Sequence, residues 1–232
     1  MKKADEILGE IKEILATKWQ TRDGIKVPEP EHVRLGNDAV KLNGTVLYAD
    51  LEDSTGLVKG YKDWFAAEVY KSYLVAACRI IRNNDGVITA FDGDRVMAVY
   101  VGDSKNTNAA KTALQINWVV GQINELIKKE YSTTSFVLKH TVGIDTSDLF
   151  VARTGIRNSN DLVWVGRAAN YAAKLAAIDD GGYSLFISEQ VFNTLSDPTK
   201  NGGTPKRCMW QKSYWSDVGI TIYKSNWIWK VP

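Results

Sequence analysis

Cysteine and histidine are scarce in this chain of 232 residues: Cys78 and Cys208, His32 and His140. Two cysteines exclude a disulfide-dense scaffold and a cysteine-rich zinc module. Two histidines leave little room for catalysis built on a histidine cluster. Excess charge of one sign is also missing. Lys plus Arg is 29 and Asp plus Glu is 27, a net charge of +2, whereas a protein that coats nucleic acid usually has a strong basic surplus. No apolar run approaches the ~18 residues of a membrane span, so no direct membrane contact is expected. The N-terminal stretch MKKADEILGEIKEIL is charged throughout and does not read as a secretory signal. A cytoplasmic protein is expected. What remains is an ordinary globular composition, 44% apolar and 24% charged, long enough to bury a sizeable core.

The chain divides into residues 1–44, an N-terminal helix with an extended connector, and residues 45–232, the main domain. In the first part Ile7, Leu8, Ile11, Ile14, Leu15 and Trp19 recur at helical spacing. That stripe asks for cover from the main body or from a second copy. Thr21 to Gly44 is rich in Gly, Pro and charge and reads as an extended connector. The main domain opens on a short buried strand, Thr45 to Asp50, followed by a helical stretch from Ser54 to Asn83 with a break near Gly60. Val87 to Phe91, the turn residues Asp92-Gly93 and Asp94 to Tyr100 form a hairpin signal. A long helix over Asn106 to Tyr131 comes next. A second hairpin is expected from Phe136 to Asp145 and Leu149 to Thr154, then a third helix from Gly166 to before Asp179. Ser184 to Ser188 reads as a strand, with Ser188 a helix N-cap. Trp210, Trp215, Trp227 and Trp229 crowd the tail, where the alternation in NWIWK fits terminal strands. The order β-α-β-β-α-β predicts a ferredoxin-like α/β (α+β) sandwich with an antiparallel component.

Three features carry chemistry. Asp50 ends the first apolar strand, and Asp94 sits at a tight turn beside Asp92. A strand end and a neighbouring hairpin turn can bring two carboxylates together, and such a pair repels unless a cation lies between them. Hard oxygen ligands suit Mg²⁺ or Mn²⁺, with substrate phosphates completing the shell. Asp53-Ser54-Thr55-Gly56 should open a helix, whose free N–H groups could receive phosphate. Asn170 and Lys174 are four apart and share a helix face, placing a neutral hydrogen bonder one turn from a cation. Taken singly, Asp53 and Asp92 read as ordinary turn residues.

Together these features resemble the catalytic domain of class III nucleotidyl cyclases. The matching stretches are VLYADLEDST, FDGDRVMAVY, HTVGIDTSDLFVARTG, VWVGRAANYAAKL and ISEQVF, spanning roughly Thr45 to Leu195. The resemblance implies a central, mostly antiparallel sheet flanked by helices. It implies a homodimer with active sites at the interface and two Mn²⁺ or Mg²⁺ ions per site. Asp50 and Asp94 would be the metal carboxylates, the Leu51 carbonyl a further ligand, and Asn170 the residue orienting ribose. Two departures matter. Lys174 stands where the family usually has Arg, which keeps the charge but loses the bidentate fork. The purine-reading positions are Ala90 and Val163, an apolar pair that cannot make the usual purine hydrogen bonds.

The stretch WQTRDGIKVPEPEHVRLGNDAVKLNG, the DGDR signature and the Trp-rich tail resemble more narrowly the bacterial Pycsar pyrimidine cyclases. That resemblance implies a pyrimidine nucleoside triphosphate as substrate and cyclic UMP or cyclic CMP as product. It also implies a role in antiphage defence through a separate effector activated by the cyclic nucleotide. Arg95, beside Asp94, is a donor that could face the carbonyls of uracil, which favours UTP over CTP. Three other readings compete: an adenylate or guanylate cyclase with an unusual pocket, a non-catalytic nucleotide sensor on a cyclase fold, and a palm-type polymerase.

Overall fold

The long strand β2 (Asp38–Leu51) sets the frame of the molecule, seen in a computed structural model that describes residues 2–232. Its residues alternate between two packed faces. Leu47, Ala49 and Leu51 join one core, while Val40, Leu42 and Val46 join another. On one side β2 pairs antiparallel with β5 (His140–Ile156), from Ala39 opposite Ala152 to Leu51 opposite His140. On the other side it pairs antiparallel with β4 (Arg95–Tyr100), which pairs in turn with β3 (Val87–Asp92). The helices α2 (Ser54–Gly60) and α3 (Asp63–Asn83) link β2 to β3, and α4 (Lys105–Glu130) links β4 to β5. The spatial order β5-β2-β4-β3 is the expected ferredoxin-like arrangement. The sheet extends past β5 through β7 (Leu185–Ser188), β9 (Ile220–Ser225) and β8 (Gln211–Trp215).

Both faces are covered, but unequally. Phe65, Val69, Tyr73, Ala77 and Ile80 of α3 recur every three or four residues and pack with Ala110, Leu114 and Ile123 of α4 over one face. The opposite face carries the short helix α5 (Arg167–Leu175), seated over β5 through Ala168, Ala169 and Ala172, with Val33 of the connector buried in the same cluster.

The structure departs from the sequence reading in three places. First, the connector is partly regular. β1 (Gln20–Asp23) pairs parallel with the start of β2, an Arg22–Asp38 ion pair at 2.7 Å ties the two, and β2 runs unbroken across residues 44 and 45. Val40 and Leu42 alternate with Lys41 and Asn43, a strand period hidden by the Gly, Pro and charge before it. Second, the second hairpin is one continuous strand. Thr146 and Asp148 suggested a turn, but their polar groups find polar partners across β2. The Thr45 and Thr146 hydroxyls lie 3.1 Å apart, and Asn43 donates to Asp148 at 2.7 Å. The chain turns later, where Asn158 takes a left-handed φ of 68°, and returns as β6 (Ser159–Val165). Third, NWIWK is not a strand. Its backbone lies on α4, with Asn117 Nδ2 donating to the Asn226 and Trp227 carbonyls and the Trp229 N–H donating to the Leu114 carbonyl. The expected helix α1 (Lys2–Ala16) forms, and Ile7, Leu8, Ile11, Ile14 and Leu15 stay exposed, so of the two covers the stripe asks for the chain's own body is not one. The break after Gly60 and the Ser188 cap fall where expected, the latter accepting from the Val191 N–H at 3.4 Å.

Candidate active site

Strand alternation decides which side chains meet. Tyr48 and Asp50 point to the face that carries α5, because Leu47, Ala49 and Leu51 face the other core. The β3–β4 hairpin has a two-residue loop, Gly93-Asp94, one residue later than the sequence suggested. Gly93 has a φ of 61°, which favours glycine. Ala49 sits opposite Val96, so the end of β2 lies beside this turn. Arg95 points to the same face. Its Nη1 is 3.9 Å from Asp50 Oδ2, its Nη2 donates to Asp92 Oδ2 at 2.9 Å, and its guanidinium lies 5.5 Å from the centre of the Tyr48 ring.

The charges of this cluster are unbalanced. Asp50 has its pKa pushed up from 3.8 to about 6, first by burial and then by the neighbouring Asp94 charge; Arg95 and the Leu51 N–H pull the other way. Asp94 Oδ2 is buried with no hydrogen-bond partner. Two crowded carboxylates with one oxygen unpartnered fit a divalent cation. Among the described residues no group of three or more His, Cys, Asp or Glu could hold a metal alone. Asp50, Asp94 and the Leu51 carbonyl therefore suit an ion of the Mg²⁺ or Mn²⁺ kind whose shell is completed by a substrate and water. Sequence reasoning missed two supports. Tyr48 lies two residues before Asp50 on the same strand face, a spacing that could have revealed it. Tyr73, deep in α3, donates to the Asp50 carbonyl at 3.3 Å and gives no sequence signal of that contact.

Beside the strand end opens a cleft of about 770 Å³ lined by Asp50, Leu51, Asp53, Tyr61, Phe136 and Lys139. Asp53 has a structural task here. It takes a left-handed φ of 52°, and its Oδ1 accepts from the Gly56 N–H at 3.0 Å, capping α2. That amide is thus occupied by the cap, and Ser54 and Thr55 lie outside the cleft lining.

Asn170 and Lys174 are exposed on one side of α5. Within one chain they do not line the cleft of Asp50. Lys174 instead borders a groove of about 630 Å³ with Asp179, Asp180, Tyr214 and Trp215. Ala90 and Val163 are not brought together either. Ala90 pairs with Met97 and packs on the α5 side with Tyr48 and Leu162, whereas Val163 pairs with Ala152 and turns outward. Leu162 and Trp164 take the covered positions of β6, and alternation sends Val163 to the other face.

No family model matches the chain. The chain is 48% identical to a uridylate cyclase of Xanthomonas perforans, over 98% of each chain. It is 47% identical to a uridylate cyclase of Burkholderia cepacia, over 98% of this chain and 99% of that one. Its fold is similar to that of a bacterial light-regulated adenylyl cyclase, with a TM-score of 0.70 at 20% identity, covering 85% of this chain and 54% of the other. Identity approaching one half over nearly the full length of both chains shows that the chain belongs to the uridylate cyclase family and is a nucleotidyl cyclase.

Proposed function

We propose that this protein converts UTP to 3′,5′-cyclic UMP and pyrophosphate. The observation that carries the proposal is Asp50 lying within the field of Asp94's charge, with the Arg95 guanidinium 3.9 Å from its carboxylate and 5.5 Å from the centre of the Tyr48 ring. The 3′-hydroxyl oxygen bonds to the α-phosphorus, the bond from that phosphorus to the bridging oxygen of pyrophosphate breaks, and the hydroxyl proton passes to the medium. Asp50, Asp94 and the Leu51 carbonyl would hold two Mn²⁺ or Mg²⁺ ions. When bound, such ions lower the pKa of an attacking hydroxyl and neutralise charge on a leaving pyrophosphate. Asn170 orients the ribose, and Lys174 holds the reacting phosphate as a point charge. Arg95 presents N–H donors beside the Tyr48 ring, which suits the two carbonyl oxygens of uracil. With Ala90 in place of a polar reader, no side chain there is built to bond a purine edge.

One chain does not bring Asn170 and Lys174 to the Asp50 cleft. This supports a head-to-tail homodimer in which each site takes the carboxylates from one copy and α5 from the other. A two-fold dimer then has two equivalent sites. Residues 1–44 would serve as an N-terminal extension that ends inside strand β2, and residues 45–232 as the catalytic domain. The reading further assigns the cyclic product to a separate effector in antiphage defence, with the enzyme in the cytoplasm and no nucleic-acid partner. Among the described residues no helix is long and apolar enough to cross a membrane, and the net charge of +2 gives little pull on nucleic acid.

The test incubates the protein with each of the four nucleoside triphosphates and Mn²⁺ and identifies products by mass spectrometry. Cyclic UMP should dominate. A purine cyclic nucleotide as the main product, or tight nucleotide binding with no turnover, would overturn the proposal.

A further inference from the structure

The helix that carries Asn170 and Lys174 is held by β5 from beneath, at alternate residues on one strand face. Ser147 Oγ accepts from the Ala168 N–H at 3.0 Å. Asp145 is fully buried and takes two hydrogen bonds from Arg167, from Nε at 3.0 Å and from Nη2 at 3.2 Å. Gly143 lies under the far end of the helix, where a Cβ would stand 2.2 Å from the Ala172 carbonyl oxygen. Arg167 Nη2 also donates to the Thr146 carbonyl at 2.7 Å and to Gln190 at the start of the following short helix (Glu189–Asn193).

These contacts differ in what they fix. Gly143 and the alanines of α5 let helix and sheet approach closely, but small smooth surfaces set neither rotation nor height. The Arg167 fork is directional. A buried carboxylate left without a partner is costly, so α5 cannot turn or lift without stranding Asp145. Asn170 and Lys174 follow Arg167 by three and seven residues, which places all three along one side of the helix. We infer that Arg167 is a positioning residue for cyclisation: its grip on Asp145 sets the rotation and height at which α5 offers Asn170 and Lys174 to the substrate. This rests on the roles given to those two residues above. A misplacement of ~1 Å at a reacting group can cost ~10²-fold in rate, so the loss should fall on turnover.

Arg167→Lys keeps the charge and loses the fork. Its kcat should fall about 10- to 100-fold while KM for UTP moves less than about threefold. In a background that lacks both side chains it positions, Asn170→Ala with Lys174→Ala, the same change should cost the residual turnover less than about threefold, because its effect on rate runs through those two residues. Hydrogen exchange of residues 167–175 should quicken while β2 and β5 stay protected. That readout holds whether or not the chain makes cyclic nucleotide, so a failed functional reading and a failed positioning role remain distinguishable. Gln190→Ala, which leaves the ion pair intact, should give a smaller change of the same kind, and it serves if Arg167→Lys does not fold. Wild-type exchange in α5 of whichever variant folds, or losses that simply multiply with those of the doubly substituted background, would overturn the inference.

Discussion

The two faces of the central sheet are finished in opposite ways. One lies under α3 and α4, helices of 21 and 26 residues, and its core runs without a gap from Leu47 to Tyr100 and Ile144. The other carries a helix of nine residues, and beyond its edge Tyr48, Asp50, Asp92 and Arg95 stand on the same sheet surface without a lid. Equal burial would have made the domain more stable and left it nothing to bind. The covered face supplies stability, and the half-open face supplies a charge arrangement that the chain alone does not satisfy.

That contrast breaks most sharply at Asp50. Asp50→Ala should lower turnover by about 10³-fold or more, since each ~1.4 kcal/mol of lost transition-state stabilisation is tenfold and metal clamping supplies several. Its circular dichroism and unfolding midpoint should stay near wild type, because removing one of two repelling carboxylates relieves strain. A variant that makes product at the wild-type rate would break the comparison.

The covered face should respond in the opposite sense. Leu47 is fully buried among α3 and α4 side chains, so Leu47→Ala should cost ~2–5 kcal/mol by denaturant unfolding. The preference for UTP over CTP should survive it. Arg95→Ala should instead leave stability within ~1 kcal/mol, as expected for a partly exposed ion pair, and reduce the preference for UTP by about tenfold. Equal stability losses at the two positions would contradict the division of labour.

A smaller effect appears with pH. Asp50 is pushed up to about 6 by burial and by Asp94, above its ordinary 3.8. A raised value in the fold means that protonated Asp50 stabilises the metal-free chain fully below about pH 4, and that this contribution is lost as pH rises through about 6. In chelator the melting temperature should therefore drift down from pH 5 to pH 7, and Mn²⁺ should reverse the drift. Below about pH 6, apparent Mn²⁺ affinity should weaken as protons compete for the carboxylate. A melting temperature unmoved by Mn²⁺ at pH 7 would argue against the cluster as a cation site.

Much of this arrangement was legible in the sequence because it is local. The apolar run into Asp50, the Asp-Gly hairpin signal and the GRAANYAAK helix each sit within ten residues, and the ferredoxin-like order follows from their succession. What was hidden depends on distant pairing. Thr146 and Asp148 looked like a turn until β2 offered Thr45 and Asn43 as polar partners. Alternation in β6 turns Val163 away from Ala90 within one chain, so any base pocket the two share needs a second copy. Asp53 looked like part of a phosphate cradle until its carboxylate closed on Gly56. Tyr73 and Arg167 act through neighbours on other elements, which no local spacing encodes.

The decisive question is whether two carboxylates from different strands act as one ligand set. Calorimetric titration of Mn²⁺ in the presence of a UTP analogue lacking the 3′-hydroxyl measures this without turnover. Wild type should bind, and Asp50→Asn and Asp94→Asn should each weaken binding by about tenfold or more, as loss of one ligand from a shared shell requires. An Asp94→Asn chain that titrates like wild type would contradict the shared set.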